Sequence, residues 1–474
     1  MAFVAVSVSA GVVVADDWSS YQHDNSNTGY SDGSGPMEPG ENWSKKFGDS
    51  DTVANQPVVA GGTVYVTSDF GKIFAFDKGT GKEKWTLSKA PGFHAPPTLV
   101  EGTLYVPGKN NAVTALNGDT GETIWSKEGP APNSTEVSVI ADEDSVYYSF
   151  TDEGKGITAY HRDNGTEIWS EQLDIDLENP PVIHNDSLYK IGYDNQTGSQ
   201  YLNSTVVAID KEDGAVKWRY NLSKDAGKDK VLGPSELLSI KDGTLYISET
   251  VLPDSVPVEE PNNRFKGRIL ALDVNDRELK WSKTFPKKLN DNPPALAPDA
   301  IIMNTNESIY SLEPSSGEEQ WSIKGISDGG MSEPVVTQDR IYLSTSEGFK
   351  VINRENEKVN HRSDEKYRKI SLADNTVFGI TRRHLVSLEE SAEMSEGEET
   401  EDTGEDKDTG EDKDTGETQD TDKSNQTEGG EDTNRSADDK NKTSGSSDDG
   451  KGQPGYGFMI AIAAVGVAAL LRRK

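Results

Sequence analysis

The 474-residue chain contains no cysteine. Disulfides, thiolate metal sites and thiol nucleophiles are therefore excluded. Hydrophobic residues make up only 32% of it, too few for one compact domain of that length. Positive charge is also scarce: 48 Lys and Arg stand against 82 Asp and Glu, a net charge of −34. Residues 391–453 carry −15 of this and the terminal Arg472–Lys474 carry +3, which leaves −22 on residues 1–390. The body is thus acidic as well as the tail. Such a surface repels nucleic acid and anionic headgroups, which are held by Lys and Arg clusters. It suits molar salt, where a Debye length of roughly 3 Å screens self-repulsion. The acidity resembles that of proteins from salt-loving archaea. The six histidines show no HxxxH or HExxH spacing, which argues against a zinc site. Walker, Rossmann and G-x-S-x-G patterns are absent too.

Long apolar runs are missing, but two short ones bracket the chain. Residues 1–15, MAFVAVSVSAGVVVA, read as a signal-like segment with a cleavage site near Ala15, without the usual basic start. Residues 458–471, FMIAIAAVGVAALL, are 14 apolar residues followed by Arg-Arg-Lys. Crossing a bilayer takes roughly 17–25 residues, so 454–474 is a marginal span whose basic end stays cytoplasmic. Between body and run lies 391–453, a low-complexity linker in which TGEDKD occurs at 403–408 and again at 409–414. Its composition cannot bury enough apolar area to offset ordering entropy, and it reads as a disordered spacer. Pro454-Gly455, the apolar run and the basic end, after an acidic Thr/Ser-rich spacer, resemble the PGF-type sorting signal of haloarchaeal surface proteins. The resemblance implies archaeosortase cleavage and lipid attachment; Tyr456 departs from the Phe of that family. Either outcome anchors the C-terminus in the membrane and places the body on the extracellular face. Eleven N-x-S/T sequons, among them Asn42, Asn133 and Asn164, are compatible with a glycosylated exterior.

The body, 16–390, repeats. Tryptophans stand at 43, 85, 125, 169, 218, 281 and 321, with gaps of 42, 40, 44, 49, 63 and 40 residues. That is the length of a four-stranded blade. GGTVYVTSDFGKIFAFDKGTGKEKW (61–85) aligns with EGTLYVPGKNNAVTALNGDTGETIW (101–125), and each unit alternates apolar and polar residues between Gly, Asn and Asp turns. A small residue (Ala75, Ala115, Ala159, Ala208, Ala271, Ser311) precedes each tryptophan and leaves room for a ring. Trp43, Trp85, Trp125, Trp169, Trp218, Trp281 and Trp321 are therefore expected to dock blade on blade, each burying roughly 150–250 Å². Two units lack the tryptophan: 333–360, with Asn360 in its place, and 368–390, which stops after three strands. The lone strand around Trp43 would supply the missing fourth and close the ring. The fold class is all-β, an eight-bladed β-propeller of four-stranded antiparallel blades, or seven-bladed if 333–360 is degenerate.

The pattern GxxYVxxxxGxxxALDxxTGxxxW resembles the pyrroloquinoline-quinone (PQQ) enzyme-type repeat, and the opening WSSYQHDNSNTGYS (18–31) resembles the entry segment of such propellers. The resemblance implies either a quinoprotein dehydrogenase, with PQQ and Ca²⁺ in the channel, or a non-catalytic scaffold. The alcohol-oxidising quinoproteins stack their cofactor on a disulfide, which this chain cannot form, and no catalytic residue carries over. A binding scaffold for surface or envelope proteins, or for a small ligand in the channel, is the leading expectation, with a PQQ-dependent alcohol or sugar dehydrogenase as the alternative. Aligning the units places Asn55, Gln56, Ser138, Asn179, Glu236, Asn292, Glu333, Arg368 and Lys369 at the starts of the innermost strands. Their oxygens, with Asn55, Asn179, Glu236, Asn292 and Glu333 foremost, are candidates for a hard cation such as Ca²⁺ at one mouth; a water-filled polar funnel is the alternative. Arg368, Lys369, Arg382 and Arg383 form a basic cluster suited to an anionic partner or to the protein's own acidic tail, or else a solvated hairpin.

Overall fold

Strict period-2 alternation ended by tight turns gives each repeat an antiparallel four-stranded sheet. The computed structural model describes residues 17–391, apart from 49–50, 54, 89–94, 109–111, 129–136, 151–155, 174, 176–179, 195–202, 227–229, 253–264 and 291. Eight such sheets occur, each a meander running outward from its first strand. Blade 1 is built of Val58–Ala60, Thr63–Thr67, Lys72–Asp77 and Glu83–Ser88. Blades 2 to 7 span 98–128, 137–172, 182–221, 230–285, 295–324 and 335–363. Blade 8 takes three strands from the end of the body, Lys369–Ala373, Thr376–Ile380 and His384–Glu390, and its fourth, Pro39–Lys46, from the beginning. The first and last parts of the body are thereby zipped together, Trp43 opposite Ser387 and Lys46 opposite His384. Innermost strands of most neighbouring blades touch, blade 8 meeting blade 1. Eight blades close the ring, as the repeat predicts.

The apolar faces of adjacent blades form the core as wedges. Tyr65, Leu99 and Leu104 belong to the wedge between blades 1 and 2. Phe47, Phe74, Tyr342 and Phe378 belong to the one that spans the closure. Each outer-strand tryptophan lies opposite the small residue of the third strand, Ala75 opposite Trp85 and Ala115 opposite Trp125. Its indole then reaches the next blade. Trp43 Nε1 donates to Lys78 O at 2.9 Å, Trp85 to Gly118 O at 2.8 Å and Trp125 to Arg162 O at 2.7 Å. Trp169 and Trp281 do the same to Lys211 O and Pro314 O. The receiving turn must hold a positive φ and expose its backbone to the ring, which explains Gly121 (φ 71°): a Cβ there would lie 2.7 Å from the Trp85 ring. In blades 5 and 7 this position is Arg277 and Glu357, both at φ 60°. Trp218 and Trp321 belong to the wedges that also take Leu279 and Val359.

One alignment is corrected. In blade 7 the tryptophan position is His361, not Asn360, because Val351 pairs with His361 before the bulge that every such strand carries. His361 Nδ1 lies 3.0 Å from Glu38 Oε2.

Candidate functional site

The inner strands of a propeller face the axis with one edge unpaired, and those backbone groups need partners. Here residues 18–31 supply them, blade by blade. Trp18 exchanges two backbone bonds with Val59 of blade 1, and Ser19 O accepts from Leu99 N of blade 2. Asn25 Nδ2 donates to Ala141 O of blade 3 at 2.7 Å, while Asn25 O accepts from Ile183 N of blade 4. Ser26 O and the Asn27 amide bond to Ile240 and Leu238 of blade 5. Thr28 O takes Leu296 N of blade 6, and Gly29 O takes Val336 N of blade 7. The segment then leaves past blade 7, where Arg340 and Tyr342 donate to Gly35 O and Pro36 O, and becomes the outer strand of blade 8.

The turn at Ser20–His23 crosses this circle. Gln22 N donates to Gln56 Oε1 at 2.9 Å on the blade 1 side, and Gln22 O accepts from Gly29 N beside blade 7. Gln56 Nε2 in turn donates to Ile370 O of blade 8 at 2.6 Å. Gln22 and His23 adopt φ of 52° and 82°, a left-handed pair that only a well-determined turn sustains. Trp18 and Gln22 are fully buried. The chain thus plugs its own axis. Among the described residues, the buried side-chain amide of Gln22 and hydroxyl of Ser20 meet no hydrogen-bond partner.

Next to the plug stands one buried carboxylate. Glu333, 4% exposed, is bonded to Lys369 Nζ and lies 3.4 Å from the Tyr21 hydroxyl. Burial, with Glu333 beside it, pushes that hydroxyl well above its ordinary value. Of the other inner-strand candidates, Asn55 and Asn292 are each committed to a neighbour. Asn55 Nδ2 donates to Thr67 Oγ1 at 2.8 Å, and Asn292 Nδ2 to Met331 O at 3.0 Å. Ser138 is buried in blade 3, opposite Ser149. Asn179 and the side chain of Glu236 lie outside the described residues. Among the described residues no group of three or more His, Asp or Glu is placed to hold a metal. The described residues do not fit a Ca²⁺–PQQ pair: Glu333 is neutralised by Lys369, and Asn55 and Asn292 donate to a protein hydroxyl and a carbonyl.

Lys369 thus belongs to the axial site, apart from the rest of the basic cluster. Arg368, Arg382 and Arg383 are exposed at the edge of blade 8. There the outer strand adds Lys45 and Lys46, opposite Leu385 and His384. Sequence reasoning missed both the plug and these two lysines, because only the closed ring places them. Asn25 and Asn27 fell within the segment 18–31, which resembles an entry segment but whose partners on the blades are not written in its sequence. Two clefts, of about 330 and 310 Å³, lie between blades 5 and 6 and between blades 8 and 1.

Eight four-stranded blades of this repeat, closed by an N-terminal strand, define a PQQ-type β-propeller. The family model described as outer membrane protein assembly factor BamB matches residues 38–205 and 199–393, and the chain belongs to that family. The BamB of Shewanella oneidensis is 20% identical over 330 residues, 66% of this chain and 77% of the relative. The crystal structure of BamB from Moraxella catarrhalis superposes with a TM-score of 0.54 at 15% identity, covering 74% of this chain and 99% of that one. A europium-containing methanol dehydrogenase superposes at 0.58 and 14% identity, covering 77% and 89%. At such identities the two structures show a common fold only.

Proposed function

We propose that this propeller is a non-catalytic binding scaffold at the outer face of the cell membrane, holding envelope or surface proteins on its exterior. The carrying observation is the plug. Residues 18–31 spend their polar groups on seven blades and cross the axis, so the centre of the wheel is used for its own integrity. Recognition is then left to the rims and clefts, which loop variation can remodel while the blades stay fixed. Membership of the BamB family, described as an outer membrane protein assembly factor, supports a protein-binding task over a redox one. The surface location rests on the sequence: the signal-like 1–15, the acidic spacer 391–453 and the apolar run before Arg472, with archaeosortase processing as the proposed route of anchoring.

Crosslinking on intact cells, followed by recovery of the full chain, tests the scaffold. Reproducible recovery of the same envelope proteins is expected. Titrating PQQ with Ca²⁺ into purified protein and following dye reduction with alcohols and sugars tests the rival. Micromolar cofactor binding with substrate-dependent reduction would overturn the proposal.

A further inference from the structure

The turns that join third and fourth strands carry a repeated clasp. The residue whose carbonyl receives the neighbouring indole also sends its side chain across the joint. Lys78 of blade 1 pairs with Asp374, in the turn between the first two strands of blade 8. Arg162 of blade 3 meets Glu101 of blade 2 at 2.6 Å, and Lys211 of blade 4 meets Asp142 of blade 3 at 2.6 Å. Arg354, in the same place on blade 7, meets Asp299 of blade 6 at 2.5 Å. The side chains of Arg162 and Arg354 are only 16% and 7% exposed, so they fill the joints they cross. Two joints carry no charge at these positions, which are Gly61 and Gly118 between blades 1 and 2, and Asn185 and Val274 between blades 4 and 5.

The joint between blades 5 and 6 keeps the acid and lacks the cation. Trp281 Nε1 donates to Pro314 O at 2.9 Å, which puts Pro314 where Lys78, Arg162 and Lys211 stand. The acid is Asp242, exposed in the turn after Lys230–Lys241. Among the described residues it forms no ion pair. Asp242 and Pro314 line the cleft of about 330 Å³, with Tyr246, Leu296 and Ile301 in its wall. The clasp of blades 2 and 3 has the same frame: Tyr105 OH donates to Arg162 O there as Tyr246 OH donates to Pro314 O here. Two lysines also line the cleft, and both are already engaged. Lys280 Nζ lies 2.8 Å from Asp273 Oδ2 and 2.8 Å from Thr244 Oγ1. Lys241 Nζ donates to Leu296 O and lies over the Tyr30 ring. Burial, with Asp242 and Glu313 nearby, pushes the Tyr246 hydroxyl up to about 12, so the local field favours a cation.

Resting on the scaffold reading, we infer that this cleft takes an arginine side chain from a partner protein, in the place that Arg162 and Arg354 fill at their own joints. The guanidinium meets Asp242, and the stem lies along Tyr246, Leu296, Ile301 and Pro314. Arginine suits the site because its planar, weakly hydrated head pairs with a carboxylate while its stem packs on apolar and aromatic surface.

The test uses the full chain with isotope-labelled tryptophan and acetyl-arginine amide as the probe. It is run in about 1 M salt, where a Debye length of roughly 3 Å screens the remaining surface charge. The Trp281 indole is bonded to Pro314 O in the cleft wall, so its N–H resonance, assigned with Trp281→Phe, reports occupancy. That resonance should move saturably with a midpoint of about 1–10 mM, as expected of one side chain. Acetyl-citrulline amide, the neutral isostere, should bind about tenfold more weakly. Asp242→Asn should weaken binding about five- to tenfold, and Asp119→Asn, an exposed turn acid on blade 2, less than about twofold. Pro314→Arg supplies the missing cation from within the chain and should abolish the shift. An unmoved resonance, equal affinity for the two probes, or undiminished binding in Asp242→Asn or Pro314→Arg would overturn the inference. Crosslinking Pro314→Arg on cells separates the two readings: unchanged partner recovery removes this cleft and leaves the scaffold standing.

Discussion

Replacing Gly121 with alanine tests the joint between blades directly. Gly121 sits at φ 71°, and an alanine there would pay roughly 1–2 kcal/mol for a left-handed backbone. Gly102, in the same blade, has φ 77° and open space where a Cβ would stand, so Gly102→Ala bears the backbone cost alone. At Gly121 the new Cβ would lie 2.7 Å from Cδ2 and 2.8 Å from Cε3 of Trp85. The ring must move, which breaks the 2.8 Å bond from Trp85 Nε1 to Gly118 O. Losing that bond costs about 1 kcal/mol. Uncovering half of an indole, about 100 Å² at about 25 cal/mol/Å², costs a further 2–3 kcal/mol. The expected losses are about 5 kcal/mol for Gly121→Ala and about 1–2 kcal/mol for Gly102→Ala. With a urea m-value of about 3 kcal/mol/M the midpoints should differ by about 1 M. Urea unfolding of both full-length variants, followed by tryptophan fluorescence and far-UV circular dichroism, measures this. Midpoints that coincide would refute the reasoning, since the ring would then contribute nothing at the joint.

Lys369→Met should destabilise the protein by about 3 kcal/mol, because it strands the buried Glu333 charge, and adding Glu333→Gln should restore much of the loss; strictly additive urea midpoints would show that the two side chains are not coupled. Glu249, buried in blade 5 against Arg268, is pushed up to about 7 from an ordinary 4.5, chiefly by desolvation. A carboxyl that holds its proton more tightly when folded adds stability below the unfolded value, and that stability is lost as pH rises through the folded value. Stability should therefore fall by about 3 kcal/mol between pH 4.5 and 7.5 on this account. Thermal melts across that range should show a shallower slope in Glu249→Gln, and an unchanged slope would place the titration elsewhere.

The wheel was legible because its determinants are local and repeated. Ten residues separate Ala75 from Trp85, Ala115 from Trp125 and Ser311 from Trp321, and each of these pairs is a cross-strand neighbour. The same spacing from Val351 points to His361, so the one misplaced position carried its own correction in sequence. The plug has no period. Its meaning lies in bonds such as Asn27 to Leu238 and Gln56 to Ile370, which span 211 and 314 residues and exist only once the ring has closed. The basic edge has the same origin. Lys45 and Lys46 look like ordinary solvated residues until the antiparallel pairing sets them beside His384 and Leu385.

The missing tryptophan of blade 7 follows from closure and does not mark a decayed repeat. Elsewhere an indole leans on a turn that belongs to one continuous hairpin, and that turn offers a carbonyl and a bare backbone. Blade 8 has no such hairpin, because its third strand ends at Glu390 and its fourth begins at Pro39. At this seam Met37 N and Glu38 N donate to the Glu390 carboxylate, and Ser391 N donates to Glu38 O. An indole there would find carboxylates and crossing chain segments in place of a turn. His361 finds the Glu38 carboxylate with Nδ1 and the edge of Phe349 with its ring. A side chain with two polar atoms and a small ring suits a junction made of two crossing segments. The count of eight blades therefore explains the exception that had left seven open.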